Sequence, residues 1–370
     1  MFPSIDRLRR RRSSKWVTHP PDVLPAFVAE MDVELAAPVR EALMEAIELG
    51  DVGYTERAGL FEAFAAFAER RLGFAPDTAR MRIVPDVMAG IVETLRVLTE
   101  PGDGVVINPP VYAPFFDGIP EAGRRIVEVP IAGGELDLDA LGAAFAAGAR
   151  AFLISSPHNP TGRVFDRAQL ERVAELAARH DVVVLADEIH APLTLPGAVH
   201  TSFAALGDSR SVVLTSASKA FNLAGLKCAI AIAGSDAVRR ELDRLPEEVH
   251  YRAGMLGVIG SQAALEHGDG WLDALLGALD GNRHRLAALL AEHLPEVGYR
   301  PPDASFLAWL DCRPLGLGDD PAAVFLERGR VALEPGVRFG EPGRGFARLN
   351  FGTSEELLGE AVRRMAAAVA

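Results

Sequence analysis

Four short apolar runs, at residues 105–107, 151–154, 182–185 and 212–214, recur through the middle of the chain with helix-like segments between them. Runs this short, rich in β-branched residues and apolar throughout, read as strands buried on both faces. Between the second and third, Asp166 can cap a helix, and Gln169 completes a capping-box pattern. Leu170, Val173, Ala174, Leu176 and Ala177 follow at helical spacing. This βαβ rhythm predicts an α/β fold built on a mostly parallel sheet flanked by helices. Nearer the C-terminus the pattern changes. Residues 271–294 read as a long amphipathic helix, 306–310 and 348–351 as strands, and a final helix starts at about Ser354. Fewer, less regularly alternating elements predict a smaller α+β domain.

At 370 residues the chain can bury a substantial core in one or two domains. The formal net charge of −13 argues against nucleic-acid binding. The run Arg9-Arg10-Arg11-Arg12 reads as a solvated terminal segment, since nothing nearby adds to it. Cys228 and Cys312 provide neither a disulfide framework nor a metal cluster, and both sit in apolar runs, so buried thiols and no metal are expected. No apolar stretch follows the arginines and none elsewhere is long enough to span a bilayer. A soluble, cytoplasmic protein without membrane association is the expectation.

In open α/β sheets, chemistry gathers beyond the carboxyl ends of the strands. Three successive ends carry polar residues. The 151–154 run leads into Ser155-Ser156-Pro157-His158-Asn159-Pro160-Thr161-Gly162, which alone is simply a turn. The 182–185 run ends at Ala186-Asp187-Glu188-Ile189-His190, where two adjacent acids suggest a polar site. The 212–214 run ends at Thr215-Ser216-Ala217-Ser218-Lys219. A partly desolvated lysine has its ammonium form disfavoured, giving the free amine that imine chemistry needs. Lysine and acid together suit pyridoxal 5′-phosphate (PLP), which takes an amine at its aldehyde and a carboxylate at its pyridine nitrogen. Ser216 and Lys227 could contact a phosphate by hydrogen bond and by charge.

Those strings, together with Arg348-Leu349-Asn350-Phe351, resemble fold-type I PLP enzymes of the class I/II aminotransferase family. Within it the chain looks most like the MalY/PatB group of carbon–sulfur β-lyases. The pointers are Ser14-Lys15-Trp16, the stretch from Asp22 to Asp32, Asp187-Glu188-Ile189-His190, and residues 218–226. The resemblance implies an aspartate-aminotransferase-like fold with a large PLP-binding domain at 36–265 and a small domain made of 1–35 and 266–370. It implies that Lys219 holds the cofactor and later moves the α-proton of an amino-acid substrate. Asp187 would pair with the pyridine nitrogen, Asn159 and His190 with the ring oxygen, and Tyr112 would stack on the ring. Ser216, Lys227 and backbone amides near Met88 and Ala89 would hold the phosphate. Arg348 would clamp the substrate carboxylate, with Asn159 and Tyr112 beside it. Tyr54 would reach the phosphate of a neighbouring subunit, so a homodimer with shared sites is implied.

The pattern also departs from its relatives. Lys227 stands where many carry arginine, Glu30 replaces a common aspartate, and Pro192 takes a place where the lyases often have aspartate. The stretch Val84-Pro85-Asp86-Val87-Met88-Ala89-Gly90 lacks the hydroxyls of some phosphate loops. The activity implied is β-elimination from cystathionine or another cysteine S-conjugate. An aminotransferase, which shares the first steps, is the alternative, and a purely regulatory protein without catalysis ranks behind both.

Overall fold

The computed structural model describes residues 1–207 and 209–370. Its strands are β1 (Leu24–Pro25), β2 (Met81–Val84), β3 (Gly104–Ile107), β4 (Arg125–Glu128), β5 (Ala149–Ser155), β6 (Val183–Asp187), β7 (Ser211–Thr215) and β8 (Ala229–Ala233), then β9 (Gly298–Tyr299), β10 (Leu307–Asp311), β11 (Val331–Ala332), β12 (Glu334–Pro335) and β13 (Phe346–Asn350). Seven of them form the large sheet in the order β2-β8-β7-β6-β5-β3-β4. The pairs from β7 through to β4 are parallel, while β8 runs antiparallel to both β2 and β7. All four runs read from the sequence are central strands of this sheet. β2, β4 and β8 are additions that the rhythm alone does not reveal.

Side-chain alternation splits the core into two layers. Ala151 and Leu153 of β5, Val183 and Leu185 of β6, and Val212 and Leu214 of β7 pack on one side, against the helices Val87–Leu98 and Pro114–Glu121. Phe152, Ile154, Val184, Ala186 and Val213 pack on the other, against Leu138–Ala146 and Arg167–Arg179. Asp166 caps the latter helix as expected, accepting the Gln169 N–H at 2.7 Å. The reciprocal half of the capping box is missing, because Gln169 Oε1 is buried without a partner.

The C-terminal part carries the antiparallel sheet β12-β13-β10-β9 and the helices Asp269–His293 and Glu355–Val369, close to the expected boundaries. The first residues cross to this part, where β1 pairs with β11. Arg11 departs from the solvated reading of its run: it donates to the carbonyls of Met31 (3.4 Å) and Val33 (2.6 Å). Both cysteines are buried and unpaired. Among the described residues no helix is long and apolar enough to cross a membrane.

Candidate active site

A cavity of about 250 Å³ opens at the carboxyl ends of β5, β6 and β7. Parallel pairing sets Ser155 beside Asp187, and Asp187 beside Leu214. Asp187 continues the Val183, Leu185 face beyond the apolar core, so its carboxylate enters the cavity. Oδ1 accepts the Ile189 N–H at 3.1 Å. Among the described residues no other hydrogen bond reaches the group, and burial pushes its pKa up to about 7 against the pull of that N–H and of Lys219. Glu188, read from the sequence as part of the same polar cluster, is not on the cavity wall. Strand alternation turns it away, where Oε1 accepts the Phe203 N–H at 2.6 Å and Oε2 lies 3.3 Å from His200 Nε2.

Lys219 lies on the short helix Ala217–Ala220, which starts immediately after β7. Its Nζ donates to the Ala29 carbonyl at 2.9 Å. Burial, with Arg348 nearby adding to it, pushes the amine down to about 8. Ser216 caps the helix: its Oγ accepts the Ser218 N–H at 3.1 Å and donates to the Cys228 carbonyl at 2.6 Å. With its hydrogen committed there, Ser216 is not on the wall; Ser218 is.

Asn159 is set by a turn pinned from two sides. Its N–H bonds Ser155 Oγ at 3.2 Å, and the Gly162 carbonyl accepts the N–H groups of Asp303 and Ala304. Gly162 has φ +67°, and a Cβ there would run into Pro302 and the Ala304 carbonyl, so only glycine allows this approach. The guanidinium of Arg348, on β13, donates from Nη1 to Asn159 Oδ1 at 2.9 Å and from Nη2 to the Phe27 carbonyl at 3.2 Å. It lies 5.0 Å from the centre of the Phe339 ring, and its Nε is buried without a partner. Because Asn159 Oδ1 faces Arg348, its amide NH₂ is left free to donate into the cavity. His190 lies on the wall with Nδ1 buried and unpartnered, and burial pushes its pKa down to about 3, so the ring stays neutral. Tyr112 lines the same space, edge-on to Phe115, and burial raises its hydroxyl to about 12.

At the other end, Asp86 caps the helix Val87–Leu98, accepting the Ala89 N–H on Oδ1 at 2.8 Å. Its Oδ2 lies 2.9 Å from Lys227 Nζ. Val87 and Met88 lie on the wall and Ala89 does not. Tyr54 is 87% exposed and touches Tyr251 rather than the cavity.

A strap from the N-terminal segment closes the site. Asn350 Nδ2 holds the carbonyls of Val28 and Glu30, each at 2.7 Å, and Asn222 holds Met31 through both its N–H (2.9 Å) and its carbonyl (3.0 Å). Lys15 Nζ, 1% exposed, bridges Asp32 Oδ2 at 2.9 Å and the Glu30 carbonyl at 3.0 Å, while Trp16 Nε1 donates to Asp32 Oδ1 at 3.1 Å. With its neighbours held, the strap presents the Ala29 carbonyl to Lys219. Ala29 and Asp86 are the residues that sequence reasoning missed. Asp86 had the signal of an acid just before a helical run, whereas a backbone carbonyl leaves no signal in residue type.

The donor set fits PLP. A buried carboxylate short of partners suits a pyridinium N–H, the free Asn159 amide and neutral His190 suit a ring oxygen, and Lys219 supplies the amine. Lys227 and the amides of a helix start are suited to a phosphate.

The pattern described as Aminotransferase class I and II matches residues 39–365. A Mycobacterium leprae protein provisionally named cystathionine beta-lyase is 46% identical over 390 residues, covering 99% of this chain and 97% of that protein. The cystathionine beta-lyase of Corynebacterium glutamicum is 34% identical over 374 residues, with 99% of each covered. Among solved structures, the PLP-bound C-S lyase of Staphylococcus hominis superposes with a TM-score of 0.92 at 26% identity, covering 100% of this chain and 98% of that one. The fold is therefore the aspartate-aminotransferase-like fold of type I. The chain belongs to the class I and II aminotransferase family.

Proposed function

We propose that this protein is a PLP-dependent carbon–sulfur β-lyase that cleaves cystathionine or other cysteine S-conjugates by α,β-elimination, releasing a thiol, pyruvate and ammonia. One observation carries the reading: Lys219 is a half-buried amine held by a single carbonyl in the same cavity as a carboxylate short of partners. When bound, the cofactor supplies an aldehyde that ties amines covalently and a cationic ring that draws electron density from the substrate carbon.

Asp187 would hold a proton on the pyridine nitrogen, since a cation beside it would restore its ionised form. Asn159 and His190 would hold the ring oxygen, and Tyr112, on the same cavity wall, would pack against the ring. Arg348 grips the substrate carboxylate with its fork. Lys219, whose pKa is pushed down to about 8, would take the α-proton. The Cβ–S bond would break with its electron pair leaving on sulfur, which gains a proton to depart as the thiol. One water would hydrolyse the remaining three-carbon fragment to pyruvate and ammonia. The Ala29 carbonyl holds the amine of Lys219 whenever it is not covalently engaged. Incubation with cystathionine should yield equal amounts of pyruvate and free thiol. Absence of both overturns the assignment, and keto-acid-dependent amino transfer without thiol release replaces it with an aminotransferase.

The protein in this reading is a cytoplasmic homodimer in which Tyr54 of each subunit completes its neighbour's phosphate site. Support comes from the exposed apolar side chains of Leu35, Met44, Ile47, Leu49 and Val52, which are grouped around the helix Ala37–Leu49 next to Tyr54. A large domain at 36–265 and a small one at 1–35 plus 266–370 are part of the same reading. In support, Met255–His267 packs on Ala37–Leu49, Asp269–His293 packs on Glu355–Val369, and β1 pairs with β11.

A further inference from the structure

We propose that Asp86 is a built-in stand-in for the cofactor phosphate, and that its charge lowers the affinity of the site for that group. The proposal rests on the PLP reading above. The mouth of the cavity offers an anion two things, the amides at the start of the helix Val87–Leu98 and the ammonium of Lys227. One carboxylate already engages the ammonium and one amide of that helix start, the Ala89 N–H, which lies just behind the cavity wall. Oδ1 of Asp86 takes the Ala89 N–H at 2.8 Å and Oδ2 takes Lys227 Nζ at 2.9 Å.

This arrangement has two consequences. In the cofactor-free protein, Asp86 keeps the helix start and Lys227 oriented as a phosphate would. On binding, the incoming phosphate must share or take over Lys227 while lying close to a carboxylate of like charge. The loop itself does not compensate, because residues 84–90 contain no hydroxyl; across the cavity the Ser216 hydroxyl is turned to the Cys228 carbonyl, and Ser218 stays on the wall. The exchange remains feasible because the pair is open to water: the side chains of Lys227 and Asp86 are 58% and 37% exposed, and exposed pairs hold weakly. Lys227 has no other partner among the described residues.

Asp86→Asn separates charge from structure, because asparagine caps a helix as well as aspartate does. PLP binding to the cofactor-free protein, read by quenching of tryptophan fluorescence, should tighten roughly three- to tenfold in Asp86→Asn. Inorganic phosphate should compete with PLP more strongly in the variant by a similar factor. Pyridoxal, which lacks the phosphate, should bind wild type and variant alike. Unchanged or weaker PLP binding in Asp86→Asn overturns the proposal, and so does an equal gain for pyridoxal. Asp86→Ser, a second capping residue without charge, must move in the same direction as Asp86→Asn; if it does not, the effect is not one of charge. Failure of the PLP reading has a different signature, since wild type would then form no coloured adduct with either aldehyde.

Discussion

The inner wall and the mouth of the cavity are built in opposite ways. On the inner wall, Asp187 and His190 are buried and Lys219 is half-buried, and desolvation is the leading cause of every shift in their proton affinity. At the mouth, Asp86 and Lys227 satisfy one another in contact with water. Burial makes a group's chemistry depend on its few partners, so the wall holds groups waiting for a specific counterpart. Exposure makes partners exchangeable, so the mouth is suited to capture and release.

Substitutions test this contrast, beginning with the wall. Lys219→Ala should lower turnover by on the order of 10³-fold or more and abolish the absorbance band of bound cofactor. Normal turnover would deny the wall its central group. Behind the wall, Lys15→Met leaves Asp32 charged and buried, which should cost about 3–5 kcal/mol in denaturant unfolding. The double variant Lys15→Met, Asp32→Leu should recover most of that loss, and no recovery would mean that Lys15 acts by packing alone.

Asp187→Asn should reduce kcat by on the order of 10²-fold, because the amide cannot hold a cationic ring nitrogen. It also carries a pH signature. The folded carboxyl titrates at about 7, above its ordinary 3.8, so the native state binds a proton that the unfolded chain has lost in between. The stabilisation is complete below 3.8 and disappears as pH rises through about 7. The stability of cofactor-free wild type relative to Asp187→Asn should therefore fall across that window, by about 1.4 kcal/mol for each pH unit crossed and a few kcal/mol at the very most. A flat difference would show that Asp187 is solvated. At the mouth, Lys227→Arg should change PLP affinity by only about threefold or less, since an exposed cation is readily substituted. A large loss there would erase the contrast.

Much of the site was legible because strand ends are legible. Asn159, Asp187 and Lys219 follow apolar runs that could only be buried strands, and parallel pairing brings such ends together. Glu188 shows where reading by adjacency fails. Neighbours along a strand point to opposite faces, so two acids in sequence become one cavity group and one loop anchor. Ser216 shows a second limit: the sequence offers its hydroxyl to a phosphate, and the structure adds a helix start and the Cys228 carbonyl as its partners.

By itself, the sequence determined the α/β frame, the positions of the three strand ends and the residue types that meet there, because burial period and turn chemistry are local properties. Only the tertiary structure decided that the Ala29 carbonyl faces Lys219, that Arg348 orients Asn159, and that Asp86 occupies Lys227. Each of these joins segments far apart in the chain. Backbone carbonyls and side-chain pairings of that kind depend on which surfaces pack together, and residue type does not encode them.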